Sequence, residues 1–196
     1  GTTILGADNK AGIAEIMTML EKIISENIPH GQISVAFTPD EEIGTGAQSF
    51  DVETFDADFG YTLDGDLEGE IQYENFNAYK ATFDITGFSV HPGSSKNTMI
   101  NASLVAMEIN SMLPAGETPR GTEEYEGFYH LVSMSGDVCK ATLNYIVRDH
   151  DASLMNARLN TLRLIEKLMN EKWGEGTVKL EIAEQYRNMA EIVGTC

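Results

Sequence analysis

The sequence predicts an α/β protein in two parts, and three observations predict it. Three short apolar runs each lead into an acidic cluster: Gly1–Gly6 into Ala7-Asp8-Asn9-Lys10-Ala11-Gly12, Ile33–Thr38 into Pro39-Asp40-Glu41-Glu42-Ile43-Gly44, and Phe59–Leu63 into Asp64-Gly65-Asp66. Between the first two clusters, Ile13, Ile16, Met17, Leu20, Ile23 and Ile24 recur at helical spacing. Beyond about Gln72 the apolar pattern alternates between strand and helix periods in the order βαββαβ, the ferredoxin-like split arrangement.

The elements follow in order. A helix is expected from about Asn9 to Ser25, and Asn27–Gly31, with Pro29 inside it, breaks it. A strand, a helix and a second strand of this length form a βαβ unit, which makes the flanking strands parallel. Gly44-Thr45-Gly46 permits a tight turn into the short segment Ala47–Phe55. Asn77–Gly87 alternates as a strand. Asn101–Leu113 is a helix carrying Leu104, Val105, Met107, Ile109 and Met112, with Asn101 as its cap. Phe128–Ser135 and Ala141–Arg148 are strands joined by Gly136-Asp137. Ala152–Trp173 is a long helix with Leu154, Leu159, Leu162, Ile165 and Leu168 on its apolar side, and Thr177–Ile182 is the closing strand. Leu104, Met107, Leu162 and Ile165 are expected to pack on one face of the sheet.

The acidic clusters carry the chemistry. Open α/β sheets bind ligands beyond the carboxyl ends of their strands. If the three runs are neighbouring parallel strands, Asp8, Glu42 and Asp64 converge on one rim, where their charges repel unless a cation neutralises them. That reading is a metal site. The alternative for any single cluster is helix N-capping, a position that Asp and Asn favour.

Gly6-Ala-Asp-Asn-Lys-Ala-Gly12, Thr38-Pro-Asp-Glu-Glu-Ile-Gly44 and Tyr61-Thr-Leu-Asp-Gly65 resemble the metal-binding segments of the M20 metallopeptidases. The likeness is strongest to the family's tripeptide aminopeptidases. It continues through Tyr73-Glu-Asn-Phe-Asn77, Ser89-Val-His-Pro-Gly93, Gly127-Phe-Tyr-His-Leu131 and Ile146-Val-Arg-Asp149, covering nearly the whole chain. The resemblance implies part of a zinc-peptidase α/β catalytic domain over residues 1–76 and a ferredoxin-like lid and dimerisation domain over 77–188. Residues 189–196 then begin a return to the catalytic domain or form a tail. It further implies that Asp8 bridges two zinc ions, that Glu42 and Asp64 are terminal zinc ligands, and that Glu41 is the general base. His91 would stabilise the reaction oxyanion, reaching the partner's site in related dimers. Arg148 would receive the peptide's terminal carboxylate. A cis peptide between Asp8 and Asn9 is implied as well.

The departures from the family matter equally. The family carries an upstream His-x-Asp motif whose histidine binds one zinc, and a further histidine ligand near its C-terminus. The histidines here, His30, His91, His130 and His150, match neither. The sequence is therefore expected to be an internal stretch of a longer peptidase, binding metal weakly and hydrolysing little alone. The expected activity of the parent is release of the N-terminal residue from tripeptides by metal-activated water. Alternatives are another M20 dipeptidase or N-acyl-amino-acid amidohydrolase, or a non-catalytic oligomerisation module.

A net charge of −18 argues against nucleic acid and anionic membranes as partners. Short peptides and a second copy bound through the lid are the expected partners, and the cytosol the expected compartment. Cys139 and Cys196 make no metal motif, and Cys139 reads as a small buried apolar residue. Several residues keep ordinary alternatives. Lys10 can be a solvated or paired rim charge, His91 a loop histidine, and Arg148 a surface ion pair with Asp149. His150 sits between two aspartates but in a loop, and His30 and His130 read as structural.

Overall fold

The computed structural model describes residues 8–43, 46–65 and 67–194. The chain divides after Ile71 into two compact units. The apolar run Gly1–Gly6 lies outside the described residues.

In the first unit, helix α1 spans Lys10–Ser25 and begins at Asn9, whose side-chain oxygen accepts from the Gly12 amide at 3.0 Å. Asn27, at φ 50°, turns the chain away after it. Glu41–Ile43 form one turn of 3₁₀ helix, and α2 (Val52–Phe55) is capped by Asp51, which accepts from Thr54 N at 2.9 Å. The expected strands at Ile33–Thr38 and Phe59–Leu63 do not form among the described residues. A strand requires a paired ladder and a covered apolar face. Here Val35, Phe37, Phe59 and Tyr61 are all exposed, so alternation alone does not create a sheet. Of the expected parallel βαβ unit, the helix forms, the second strand does not, and the first strand lies outside the described residues.

The second unit holds the sheet. Strands β1 (Asn77–Thr86), β2 (Phe128–Gly136), β3 (Lys140–Asp149) and β4 (Val178–Tyr186) form a four-stranded sheet in the order β2-β3-β1-β4. Every pairing is antiparallel. Helices α3 (Ala102–Ser111) and α4 (Ala152–Trp173) complete the βαββαβ order, and a short α5 (Ala190–Val193) follows. The chain is thus mixed α/β, with the ferredoxin-like arrangement in its second unit. Among the described residues no helix is long and apolar enough to cross a membrane.

Phe83, Leu143, Tyr145 and Val147 of the sheet, Val105 and Ile109 of α3, and Leu159, Leu162 and Ile165 of α4 belong to one buried core. Leu104 and Met107 are exposed, contrary to expectation. The buried positions of α3 are Ala102, Val105, Ala106 and Ile109, a single helical face on which two alanines allow close approach to the sheet. On α4, Met155 and Met169 share the buried face with Leu159, Leu162 and Ile165, while Leu154 and Leu168 remain exposed. Asn101 caps α3 as expected, accepting from Leu104 N at 3.3 Å, and Asp151 caps α4, accepting from Ser153 N at 2.7 Å. Strand β4 continues past the expected end at Ile182. Cys139 is exposed, not buried. It lies in the β2–β3 turn, where Asp137 Oδ1 accepts from the amides of Cys139 at 2.7 Å and Lys140 at 3.0 Å.

Candidate active site

The carboxylates of the first unit are brought together by backbone fastenings. The Asn9 side-chain amide donates to the Leu63 carbonyl while its oxygen caps α1. Gly12 makes this approach feasible, because a Cβ there would lie 2.6 Å from the Leu63 oxygen and 2.8 Å from Asn9 Oδ1. The turn bearing Asp8 is thereby fixed to the segment bearing Asp64. The Asp8–Asn9 peptide is cis, as the resemblance implies.

Glu41 and Glu42 open the 3₁₀ turn. Glu42 has its carboxyl raised above the usual value by a hydrogen bond with Asp8, by the Asp8 charge, by Glu41 beside it, by desolvation and by Asp64. All four acids are exposed. Negative charge from three chain segments therefore accumulates at Glu42 without a cationic partner among these causes. Among the described residues, no group of three or more His, Cys, Asp or Glu is placed so as to hold a metal ion. The arrangement is a cluster of exposed carboxylates whose mutual repulsion favours retention of a proton at Glu42. Zinc accepts such carboxylate oxygens alongside nitrogen and sulfur.

His91 and Arg148 belong to the second unit. His91 precedes a 3₁₀ turn at Pro92–Ser94, and its Nδ1 accepts from Gly93 N at 3.2 Å. In the neutral ring this leaves the proton on Nε2. Arg148 is half-buried at the end of β3. It donates through Nη1 to the Val147 carbonyl at 3.0 Å and the Tyr79 carbonyl at 3.3 Å, and through Nη2 to Gln185 Oε1 at 3.0 Å. Desolvation lowers its pKa, partly opposed by Tyr186. The surface pair of Arg148 with Asp149 does not exist: adjacent strand residues point to opposite faces, and Asp149 pairs with Arg158 of α4.

Among the described residues His150 joins no ligand group. Its ring lies 4.1 Å from that of Phe76 and 4.8 Å from that of Tyr125, and its Nδ1 is buried without a hydrogen-bond partner. The contacts of Asn9 with Leu63 and of Gln185 with Arg148 were not foreseeable from motifs. The first joins segments far apart in sequence, and the second depends on β4 running beyond Ile182.

The chain belongs to peptidase family M20/M25/M40, whose model matches residues 6–192. It is similar to curated proteins named peptidase T. One, from Clostridium novyi (strain NT), is 53% identical over 98% of this chain and 48% of its own length. Another, from Bacillus subtilis (strain 168), is 53% identical over 97% of this chain and 47% of its own length. The chain thus spans about half the length of these relatives. Among solved structures it resembles aminopeptidase PepT from Bacillus cereus ATCC 10987, with a TM-score of 0.80 and 28% identity over 95% of this chain and 51% of that one. A tripeptidase from Staphylococcus aureus subsp. aureus Mu50 gives a TM-score of 0.80 and 26% identity over 95% of this chain and 50% of that one.

Proposed function

We propose that this chain carries the carboxylate centre and lid of a zinc-dependent aminopeptidase that releases the N-terminal residue of tripeptides. The observation that carries the proposal is geometric: Asn9 and Gly12 fasten the Asp8 turn to the Asp64 segment at Leu63, and both acids act on Glu42. Family membership and the names of the similar proteins support peptide hydrolysis over other uses of such a cluster.

In this reading Asp8, Glu42 and Asp64 would hold the zinc, and donors outside these residues would complete the set. When bound, the metals supply Lewis-acid activation of water and of the scissile carbonyl. Glu41 stays off the metal and accepts the proton of the attacking water at its carboxylate oxygen, later passing it to the leaving amine. His91 donates through Nε2–H to the developing oxyanion. Arg148 receives the peptide's terminal carboxylate.

A homodimer through the lid is part of the proposal, supported by exposed Leu104 and Met107 on α3 and exposed Val132 and Met134 on the edge strand β2.

The deciding experiment compares Glu41→Ala and Glu42→Ala in a full-length protein carrying this sequence. Glu41→Ala should keep its zinc and lose about 10²–10⁴-fold in turnover. Glu42→Ala should lose zinc. Loss of metal from Glu41→Ala with retention in Glu42→Ala would reverse the two roles.

A further inference from the structure

Arg148 is held in place mostly by residues outside the segments that carry the family resemblance. The strand register aligns Arg148, Ala78 and Tyr186 across β3, β1 and β4. They share the sheet face away from the helices, since the next residue, Asp149, is the one that meets Arg158 of α4. Ala78 is fully buried on that face. Its single methyl allows the Arg148 side chain to cross β1, bringing the guanidinium 5.4 Å from the centre of the Tyr186 ring.

The backbone contributes too. The pairing of β1 with β4 slips between Ala78 and Tyr79, and the Tyr79 carbonyl accepts from Arg148 Nη1 at 3.3 Å. Bulges of this kind re-aim side chains near functional sites. Val147 O takes a second Nη1 bond at 3.0 Å, and Gln185 Oε1 takes one from Nη2 at 3.0 Å. A guanidinium has five N–H donors. These acceptors use both hydrogens of Nη1 and one of Nη2. The Nε–H and the second Nη2 hydrogen are not used by these three acceptors, while the Tyr186 side chain is a further hydrogen-bonding neighbour of Arg148. Nε–H with an Nη2 hydrogen is the pair by which a guanidinium meets a carboxylate.

We propose that Gln185 is a positioning residue for Arg148: its side-chain oxygen fixes the rotation of the guanidinium, so that the Nε–Nη2 edge is offered to the C-terminal carboxylate of a peptide. This rests on the reading in which Arg148 receives that carboxylate. The two carbonyls restrain one nitrogen of the guanidinium, and Gln185 restrains the other. Without it, Nη2 is free to seek water, and the fork is correct only part of the time.

The test uses a full-length protein carrying this sequence, with kcat and KM measured for one tripeptide with a free C-terminus and for its amide. Gln185 is exposed, so Gln185→Met, of similar length but lacking the acceptor, leaves folding intact. It should raise KM for the free peptide roughly three- to tenfold with kcat unchanged, and leave the amide unaffected. Arg148→Ala should raise KM for the free peptide by roughly ten- to a hundredfold, and adding Gln185→Met to it should change nothing more. Equal effects of Gln185→Met on both peptides, or an additive double variant, overturn the positioning role while leaving Arg148 in place. If Arg148→Ala itself affects both peptides equally, the underlying carboxylate reading fails instead.

Discussion

Asp149 Oδ2 lies 2.7 Å from Arg158 Nε, and this fully buried carboxylate turns inward while its neighbour Arg148 turns to the opposite face of the sheet. Asp149 Oδ1 also accepts from Asp151 N at 3.0 Å, at the entry to α4. Arg158 lies 5.2 Å from the centre of the Tyr129 ring and pairs with Glu117 in the loop before β2. Gly127 lets this loop close over the pair, since a Cβ there would lie 2.1 Å from Asp149 Oδ2. Burial pulls the Arg158 pKa down, but its bonds to Asp149 and Glu117 outweigh this and raise it.

Removing one partner strands the other without solvent. Arg158→Leu should therefore cost about 3–5 kcal/mol, measured by urea unfolding. Glu117 is more exposed, so Glu117→Gln should cost only about 0.2–1 kcal/mol. The opposite ranking would mean that Glu117, not Asp149, is the anchor of this network.

The two faces of α3 make a separate prediction. Ile109 is fully buried, whereas Leu104 is 60% exposed. Ile109→Ala should cost about 2–5 kcal/mol through lost burial and the cavity left behind. Leu104→Gln should stay within about 0.5 kcal/mol of the parent in the monomer. If the lid face is a dimer contact, Leu104→Gln should instead lower the association constant in sedimentation equilibrium, with unfolding of the monomer unchanged.

These same residues show what the sequence could and could not convey. The βαββαβ order was legible because each element closes its own period and finds its partners within the second unit. The buried face of α3 was misjudged because counting large apolar residues selects Leu104 and Met107, while close helix–sheet contact selects Ala102 and Ala106. Ile33–Thr38 carries a strand pattern, yet pairing is a property of neighbours that a local pattern cannot supply. The Arg148–Asp149 alternative could have been set aside from the strand period alone. The acidic motifs drew attention to Asp8, Glu41, Glu42 and Asp64. The fastening of Asp8 near Asp64 depended on Gly12 and Asn9 meeting Leu63, a contact visible only in three dimensions.

Tyr145 supplies an alkaline signature of the core. It is 1% exposed and donates to Asn110 Oδ1 at 2.9 Å, and burial pushes its phenol from 10.0 up to about 12. The phenol is neutral when protonated, so a raised folded value stabilises the protein below the unfolded pKa. That contribution is lost as pH rises from 10.0 through about 12. At about 1.4 kcal/mol per pKa unit, the full swing is on the order of 3 kcal/mol. Urea unfolding across this range should show a steeper loss of stability in the parent than in Tyr145→Phe. Parallel curves would mean that Tyr145 ionises no later in the folded chain than in the unfolded one.

Glu42 gives the corresponding prediction for the acid cluster. Its carboxyl is raised above 4.5 chiefly by Asp8, through a hydrogen bond and charge, and then by Glu41, desolvation and Asp64. A raised carboxyl favours the folded state below the unfolded value, and this advantage is lost as pH rises through the folded value. The cluster therefore gathers negative charge that a cation would relieve, and a cation bound at Glu42 competes with its proton. Zinc titration of the isolated chain, by calorimetry in buffers of differing ionisation heat, should show proton release that is largest around the raised Glu42 value and fades at higher pH. Binding should be weak and peptide hydrolysis slight, because three carboxylates fall short of the roughly four donors of a closed zinc site. Glu42→Gln should both suppress the proton release and weaken binding further, whereas Glu41→Gln should leave the affinity nearly unchanged. Zinc binding without proton release, and indifferent to Glu42→Gln, would remove Glu42 from the metal ligands and leave the cluster as an exposed acidic turn.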